Sequence, residues 1–201
     1  MRDYASHEML SDQYLLSKNQ VYLFGQIDTG TSARLIPQLH FIEQKMKEEE
    51  IPEQERVLTL LINSPGGVVT DGLAIYDTLN SLDCYVRTIC VGLAASMGAF
   101  LLSAGTKGMR FALPNSEIMI HQPLGGAQGQ ATDIINAARH IERTRSVLNS
   151  ILAMNTGKSV EQIAKDTDRD YIMRADEAVE YGIIDGILVP QTIKATGGKF
   201  R

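Results

Sequence analysis

The chain has 201 residues, 44% of them hydrophobic and 21% charged, and a formal net charge of −5. That balance suits one globular core and argues against disorder. The net acidity and the absence of a long Lys/Arg run argue against nucleic acid or an anionic membrane as a partner. No stretch is apolar for long enough to predict a transmembrane span. Met1 to Gln20 is mixed polar, with Asp3, Glu8 and Asp12, unlike a secretory leader. The two cysteines, Cys84 and Cys90, flank a predicted strand and lack metal-ligand spacing. Buried free thiols are expected, and a reducing cytoplasmic or organelle-matrix location fits them.

In chain order, Val21–Phe24 reads as a first strand, followed by Gly25 and a turn cluster from Asp28 to Ser32. Leu35, Ile36, Leu39, Ile42 and Met46 recur at helical spacing, with Pro37 weakening the first turns. The charged stretch Lys45–Arg56 reads as a solvated helix end and loop. Val57–Ile62 is a continuous apolar run, as expected of a strand covered on both faces. It ends in Asn63-Ser64-Pro65-Gly66-Gly67, a dense turn signal. Asp71–Leu82 follows as a helix and Val86–Cys90 as a strand. This order predicts right-handed crossovers and parallel strands, hence an α/β fold.

Ser96–Ala104 is rich in small and apolar residues and predicts a buried helix. Phe111–Leu113 and Glu117–Ile120 predict short strands, and Gly125, Gly126 and Gly129 a flexible loop. Thr132–Met154 predicts a long amphipathic helix with Ile134, Ala138, Ile141, Leu148 and Ile151 on one stripe. Such a helix can project from the core and meet another subunit. Ser159 with Gln162 resembles a capping box. Ala175–Tyr181 predicts a helix closed by Gly182, and Ile183–Val189 a last strand. Residues 1–201 carry no repeat and no linker, which predicts one domain.

Four features bear on chemistry. Ser96, in Gly92-Leu93-Ala94-Ala95-Ser96-Met97-Gly98, follows a strand and opens a helix, where free N–H groups favour negative charge. Ala94 departs from the G-x-S-x-G nucleophile elbow, and by itself the serine reads first as a helix cap. His121 ends an apolar strand beside Pro123 and the glycine loop, at a site edge or as a structural histidine. His7, His40 and His140 have no site signal nearby. Asp166, Asp168 and Asp170 lie between two helices, and spacing does not choose among them. Gly66-Gly67 can turn amides inward to bind an oxyanion, or can be a plain tight turn.

Several long segments together resemble the proteolytic subunit of the caseinolytic, or Clp, protease family. They are Ile62 to Gly67, Gly92 to Leu102, Leu113-Pro114-Asn115-Ser116, Met119-Ile120-His121-Gln122-Pro123-Leu124-Gly125-Gly126, Gln128 to Ile134, and Glu177-Ala178-Val179-Glu180-Tyr181-Gly182. The match preserves their order from roughly Val21 to Val189. The resemblance implies a crotonase/ClpP-like superfold of repeated ββα units with a projecting handle helix at 122–155. It implies a serine endopeptidase with Ser96 as nucleophile, His121 as base and Asp170 orienting the histidine. The oxyanion donors would be the N–H groups of Gly67 and Met97. Asp168 and Arg169 match a pair linked to ring contact. Residues 1–20 would stand near an axial pore. The implied assembly is two stacked heptameric rings, of one subunit type or mixed with a paralogue. A hexameric AAA+ unfoldase would feed them unfolded protein, and the peptidase would need no cofactor and no metal.

The sequence departs from the family at Leu93, where Gln is usual, and at Thr59 and Leu61, where tyrosines often help dock the unfoldase. Lys45–Arg56 is longer than usual, and the N-terminal segment matches the axial loop poorly. These differences bear on partner and gating rather than on the triad. Two rivals share the fold: a non-enzymatic ring subunit, which would lose a triad residue, and an acyl-CoA enzyme of the crotonase superfamily, which would not need Ser96 and His121.

Overall fold

Parallel strands pair on both sides of the largely apolar run Val57–Ile62. The computed structural model describes the backbone of residues 4–189 and the side chains of residues 11–189. Helix α1 spans Tyr4–Ser17, strand β1 Gln20–Phe24, helix α2 Thr29–Glu48 and strand β2 Val57–Ser64. Helix α3 (Val69–Ser81), strand β3 (Tyr85–Ala95), helix α4 (Met97–Ser103) and strands β4 (Arg110–Ala112) and β5 (Glu117–Ile120) follow. The rest is helix α5 (Ala131–Thr156), helix α6 (Val160–Asp166), strand β6 (Tyr171–Arg174), helix α7 (Ala175–Tyr181) and strand β7 (Gly186–Ile187).

The described strands form one mixed sheet, with β1-β2-β3-β4-β7 in parallel order. On its edge away from β2, strand β3 serves two neighbours. Its first half pairs with β4 through Thr88–Cys90, and its last residues pair with β5 through Leu93–Ala95. Strand β6 closes this branch antiparallel to β5. Leu58, Leu60 and Ile62 of β2 are wholly buried, against Leu35, Leu39, Ile42 and Met46 of α2 and Ile75 of α3.

Helix α2 runs straight through Pro37. An internal proline costs about 3 kcal/mol. Four fully buried apolar side chains at helical spacing each return roughly 1.5–3 kcal/mol, so packing outweighs it. The expected turn at Asp28–Ser32 is the start of this helix. The Asp28 carboxylate caps it, accepting from the Thr31 N–H at 2.8 Å. That bond and one from the Thr31 hydroxyl hold the Asp28 carboxyl below its ordinary pKa. The charged stretch after Lys45 ends α2 at Glu48 and adds one 3-10 turn at Glu53–Glu55.

Three other expectations need correction. Strand β3 does not stop at Cys90. Between the pairs Ile62–Cys90 and Ser64–Ala94 it carries two residues more than β2, and the offset is bridged by Asn63 Oδ1, which accepts from Leu93 N–H at 3.2 Å. The last strand is only Gly186–Ile187. Ile183 and Ile184 are buried, but their N–H groups turn back to the Ala178 carbonyl and so cannot join a ladder. Of the expected stripe on α5 only Leu148 is buried, while Ile151 packs partly buried against the core and Ile134 stays exposed; Leu152 and Ala153, at the same end, complete the buried patch. Helix α1 and strand β6 had no counterpart in the sequence reading. The first three residues of the segment expected near an axial pore lie outside the described residues.

An ion pair between buried Arg110 and the half-buried side chain of Asp185 ties these parts together. Arg110, 4% exposed, donates to Asp185 through Nη2 at 2.6 Å and Nε at 2.9 Å, and to the Asn155 carbonyl at the end of α5 at 2.8 Å. Burial pushes the Asp185 carboxyl up, but the side-chain and backbone bonds and the charge of Arg110 outweigh it and hold the pKa below the ordinary value. A carboxyl depressed in the folded state adds stability that is complete above the ordinary range and is lost as pH falls through the folded value. Asp185→Ala strands the guanidinium and is expected to cost about 3 kcal/mol, read from urea unfolding at neutral pH.

Candidate active site

Three strand ends meet because of register. Ala95 pairs with Met119 across β3 and β5, and Ile120 pairs with Tyr171 across β5 and β6. Ser96 follows β3, His121 follows β5 and Asp170 precedes β6, so each ladder delivers its next residue to one place. His121 Nε2 lies 2.9 Å from Ser96 Oγ, and Nδ1 lies 3.0 Å from Asp170 Oδ1. A carboxylate only accepts, so Nδ1 carries the proton and donates to Asp170. In neutral imidazole Nε2 is then left to accept from the Ser96 hydroxyl. The histidine side chain is 16% exposed and the aspartate 66%.

Ser96 sits at φ 54° and ψ −122°, a conformation that side chains rarely adopt. Such strain costs on the order of 1–3 kcal/mol. Two backbone bonds hold it: Ser96 N–H to the Met119 carbonyl at 2.8 Å, and Phe100 N–H to the Ser96 carbonyl at 3.0 Å. Although Ser96 is the N-cap residue of α4, its side chain makes no capping bond. The hydroxyl is turned toward His121 instead, which removes the capping explanation. The strained elbow is present although Ala94 breaks the sequence pattern that usually marks one.

The Gly66-Gly67 turn lies against this elbow. A Cβ on Gly66, which has φ +90°, would stand 2.7 Å from the Ala95 carbonyl and 2.9 Å from Met97 N. A Cβ on Gly67 would collide with the Ile27 carbonyl. The turn is fixed by Ile27 N–H donating to Gly66 at 2.9 Å and Val68 N–H donating to Ile27 at 2.8 Å. Among the described residues, the N–H groups of Gly67 and Met97 donate to no protein acceptor, leaving two amides free beside the Ser96 turn. Val69, Met97, Phe100, Pro123, Leu148 and Leu152 line an apolar pocket next to Ser96 and His121. In the sequence Val69, Phe100, Leu148 and Leu152 look like ordinary core or loop positions, and nothing there marked them for a site.

The remaining candidates separate cleanly. Asp166 accepts from the Tyr181 hydroxyl at 2.8 Å and from Gln162 at 2.7 Å, so it is engaged elsewhere. Asp168 Oδ1 lies 3.9 Å from Arg145 on α5, and Asp168 and Arg169 are both exposed. Only Asp170 of the three aspartates touches His121. His40 pairs with Glu43 at 3.7 Å, and His140 is exposed on α5. The His7 side chain lies outside the described residues. Both thiols are free, and burial pushes Cys84 and Cys90 up to about 11, as inert core groups require. Among the described residues no group of three or more His, Cys, Asp or Glu side chains could hold a metal ion, and no helix is long and apolar enough to cross a membrane.

A family model described as Clp protease matches residues 5–191. The chain belongs to the Clp protease family. The match takes in all three strand ends of the site and the whole sheet around them. The Clp protease family is one of proteases, and the parallel-rich α/β architecture is that family's fold.

Proposed function

We propose that this chain is the proteolytic subunit of an ATP-dependent Clp protease, a serine endopeptidase acting through Ser96, His121 and Asp170. The observation that carries the reading is the continuous chain of bonds from Asp170 through His121 to a strained Ser96. His121 Nε2 takes the hydroxyl proton as Ser96 Oγ attacks the peptide carbonyl. The negative charge that develops on the carbonyl oxygen is accepted by the N–H groups of Gly67 and Met97, each worth roughly 3 kcal/mol to the transition state. The imidazolium, stabilised by Asp170, then protonates the leaving amine as the C–N bond breaks. An acyl-enzyme remains on Ser96. Water, deprotonated by His121, releases it and restores the serine.

The apolar lining beside Ser96 would meet the side chain that precedes the scissile bond. Residues 1–201 act as one peptidase domain. The exposed first half of α5, with Ile134 and Ile135 at 44% and 50% exposure, suits contact with another subunit rather than water. We place it at the junction of two stacked heptameric rings, with exposed Asp168 and Arg169 at the same contact. The rings contain this chain alone or with a paralogue, lie in the cytoplasm, and receive unfolded protein from a hexameric AAA+ unfoldase.

The test is hydrolysis of a fluorogenic peptide by the purified protein, with particle mass measured on the same sample. Turnover by a particle of about fourteen subunits is expected from a closed pair of seven-membered rings. An assembled particle without turnover, alone or with its paralogue, contradicts the reading. Gly66→Ala probes the support of the elbow. The added Cβ must push on the Ser96 turn, and kcat/KM is expected to fall between about tenfold and 100-fold, with stability lowered by about 1–3 kcal/mol. Peptide hydrolysis and thermal unfolding of one preparation check both.

A further inference from the structure

The His121–Asp170 contact is a single bond to a largely exposed carboxylate. Among the described residues no other group bonds that carboxylate, so its place must be set by the backbone on either side. On one side, Tyr171 is laddered to Ile120, the residue before His121. On the other, Gln122, the residue after His121, makes two bonds to the chain leading into Asp170. Its N–H donates to the Thr167 carbonyl at 2.7 Å, and its side-chain Nε2 donates to the Asp168 carbonyl at 2.9 Å. The neighbours of His121 therefore bracket Asp170. Between the Asp168 carbonyl and Tyr171 only Arg169 and Asp170 span the gap; without the side-chain bond Asp168 joins them.

We propose that Gln122 is a positioning residue for the catalytic histidine and aspartate: its side-chain amide clamps the Asp168 carbonyl and so keeps the Asp170 carboxylate within reach of His121 Nδ1. The inference rests on the triad reading above. The backbone bond to Thr167 survives any substitution at 122. The side-chain bond does not, and its loss frees one more residue of the loop next to Asp170. A carboxylate that leaves the imidazole no longer fixes its tautomer or stabilises the imidazolium, both of which act on the chemical step. Substrate binding in the apolar pocket involves neither, so kcat and KM should separate.

Gln122→Met keeps the length of the side chain and cannot donate. Gln122→Glu keeps the shape and sets a carboxylate against the Asp168 carbonyl. Either variant is expected to lower kcat for a fluorogenic peptide by roughly tenfold, the size of one neutral hydrogen bond, with KM within about twofold. Particle mass is measured on every sample. The decisive readout is coupling: in an Asp170→Asn background, adding Gln122→Met should slow fluorophosphonate labelling of Ser96 by less than about twofold, because the residue it positions has already lost its function. Labelling accumulates over hours, so slow variants remain readable. Additive losses in the double variant overturn the inference, as does an unchanged kcat in both single variants. A kcat loss that follows only the loss of intact particles also overturns it. Hydrolysis that survives Ser96→Ala would instead remove the triad reading itself, and the two failures are distinguishable on the same plate.

Discussion

Ser96→Ala is expected to lower peptide hydrolysis by roughly 10⁴-fold or more, while unfolding midpoint and particle mass stay within error of the parent. The activity loss follows from chemistry: without Oγ there is no acyl-enzyme, and only the amides and the pocket can still assist direct attack by water. Stability is expected to hold because the hydroxyl makes one exchangeable bond, to His121 at 2.9 Å, and caps nothing. Alanine keeps the same Cβ, so the strain at φ 54° is neither relieved nor increased. Steady-state hydrolysis, thermal unfolding and light scattering on one preparation check all three statements.

Asp170→Asn is expected to lower kcat by roughly 10²–10³-fold. An amide that donates toward Nδ1 favours the other tautomer, which puts the proton on Nε2 and leaves it unable to accept from Ser96. A buried aspartate in this role is worth about 10⁴-fold. The smaller figure reflects 66% exposure of the Asp170 side chain, since solvent screens its charge and lets the imidazolium find water. KM should change little, because Asp170 does not line the pocket. The measurement is kcat and KM as a function of pH for parent and variant. A loss confined to KM would mean that Asp170 acts on binding and not on the imidazole.

Much of the sheet was legible because its signals are local. The apolar run of β2 and its glycine ending place Gly66 and Gly67, and the small apolar residues after Ser96 give a helix in which all seven residues are buried. His121 stood out as the polar residue closing an apolar strand. The missed parts are those that only long-range pairing creates. Strand β6 has three exposed residues and one buried one, Met173, so no alternation marks it. It becomes a strand because β5 offers it an open edge. That same pairing selects Asp170, which is why spacing left Asp166, Asp168 and Asp170 equal. The extension of β3 was hidden by Gly92, which reads as a turn in a sequence and here sits at an offset between paired strands. Helix α1 shows no apolar stripe in its sequence to announce it.

The strain at Ser96 belongs to the same class. No residue type predicts φ 54° there, and the G-x-S-x-G rule points away from it. The cause is the close approach of two turns: Gly66 beneath the elbow, and Gly98, whose added Cβ would stand 2.9 Å from the Ser64 carbonyl. These two glycines act in the fold as clearance, letting one backbone pass over another at Ser96.

The measurement that bears most directly on this account is the site of covalent capture. The purified protein is treated with an active-site fluorophosphonate, digested, and the modified residue identified by mass spectrometry, beside a His121→Ala sample. One adduct on Ser96, formed at a rate that falls at least roughly 100-fold without the imidazole, is the expected result. Peptide-hydrolysing protein that carries its adduct on another residue, or labels Ser96 equally fast in both samples, would contradict it.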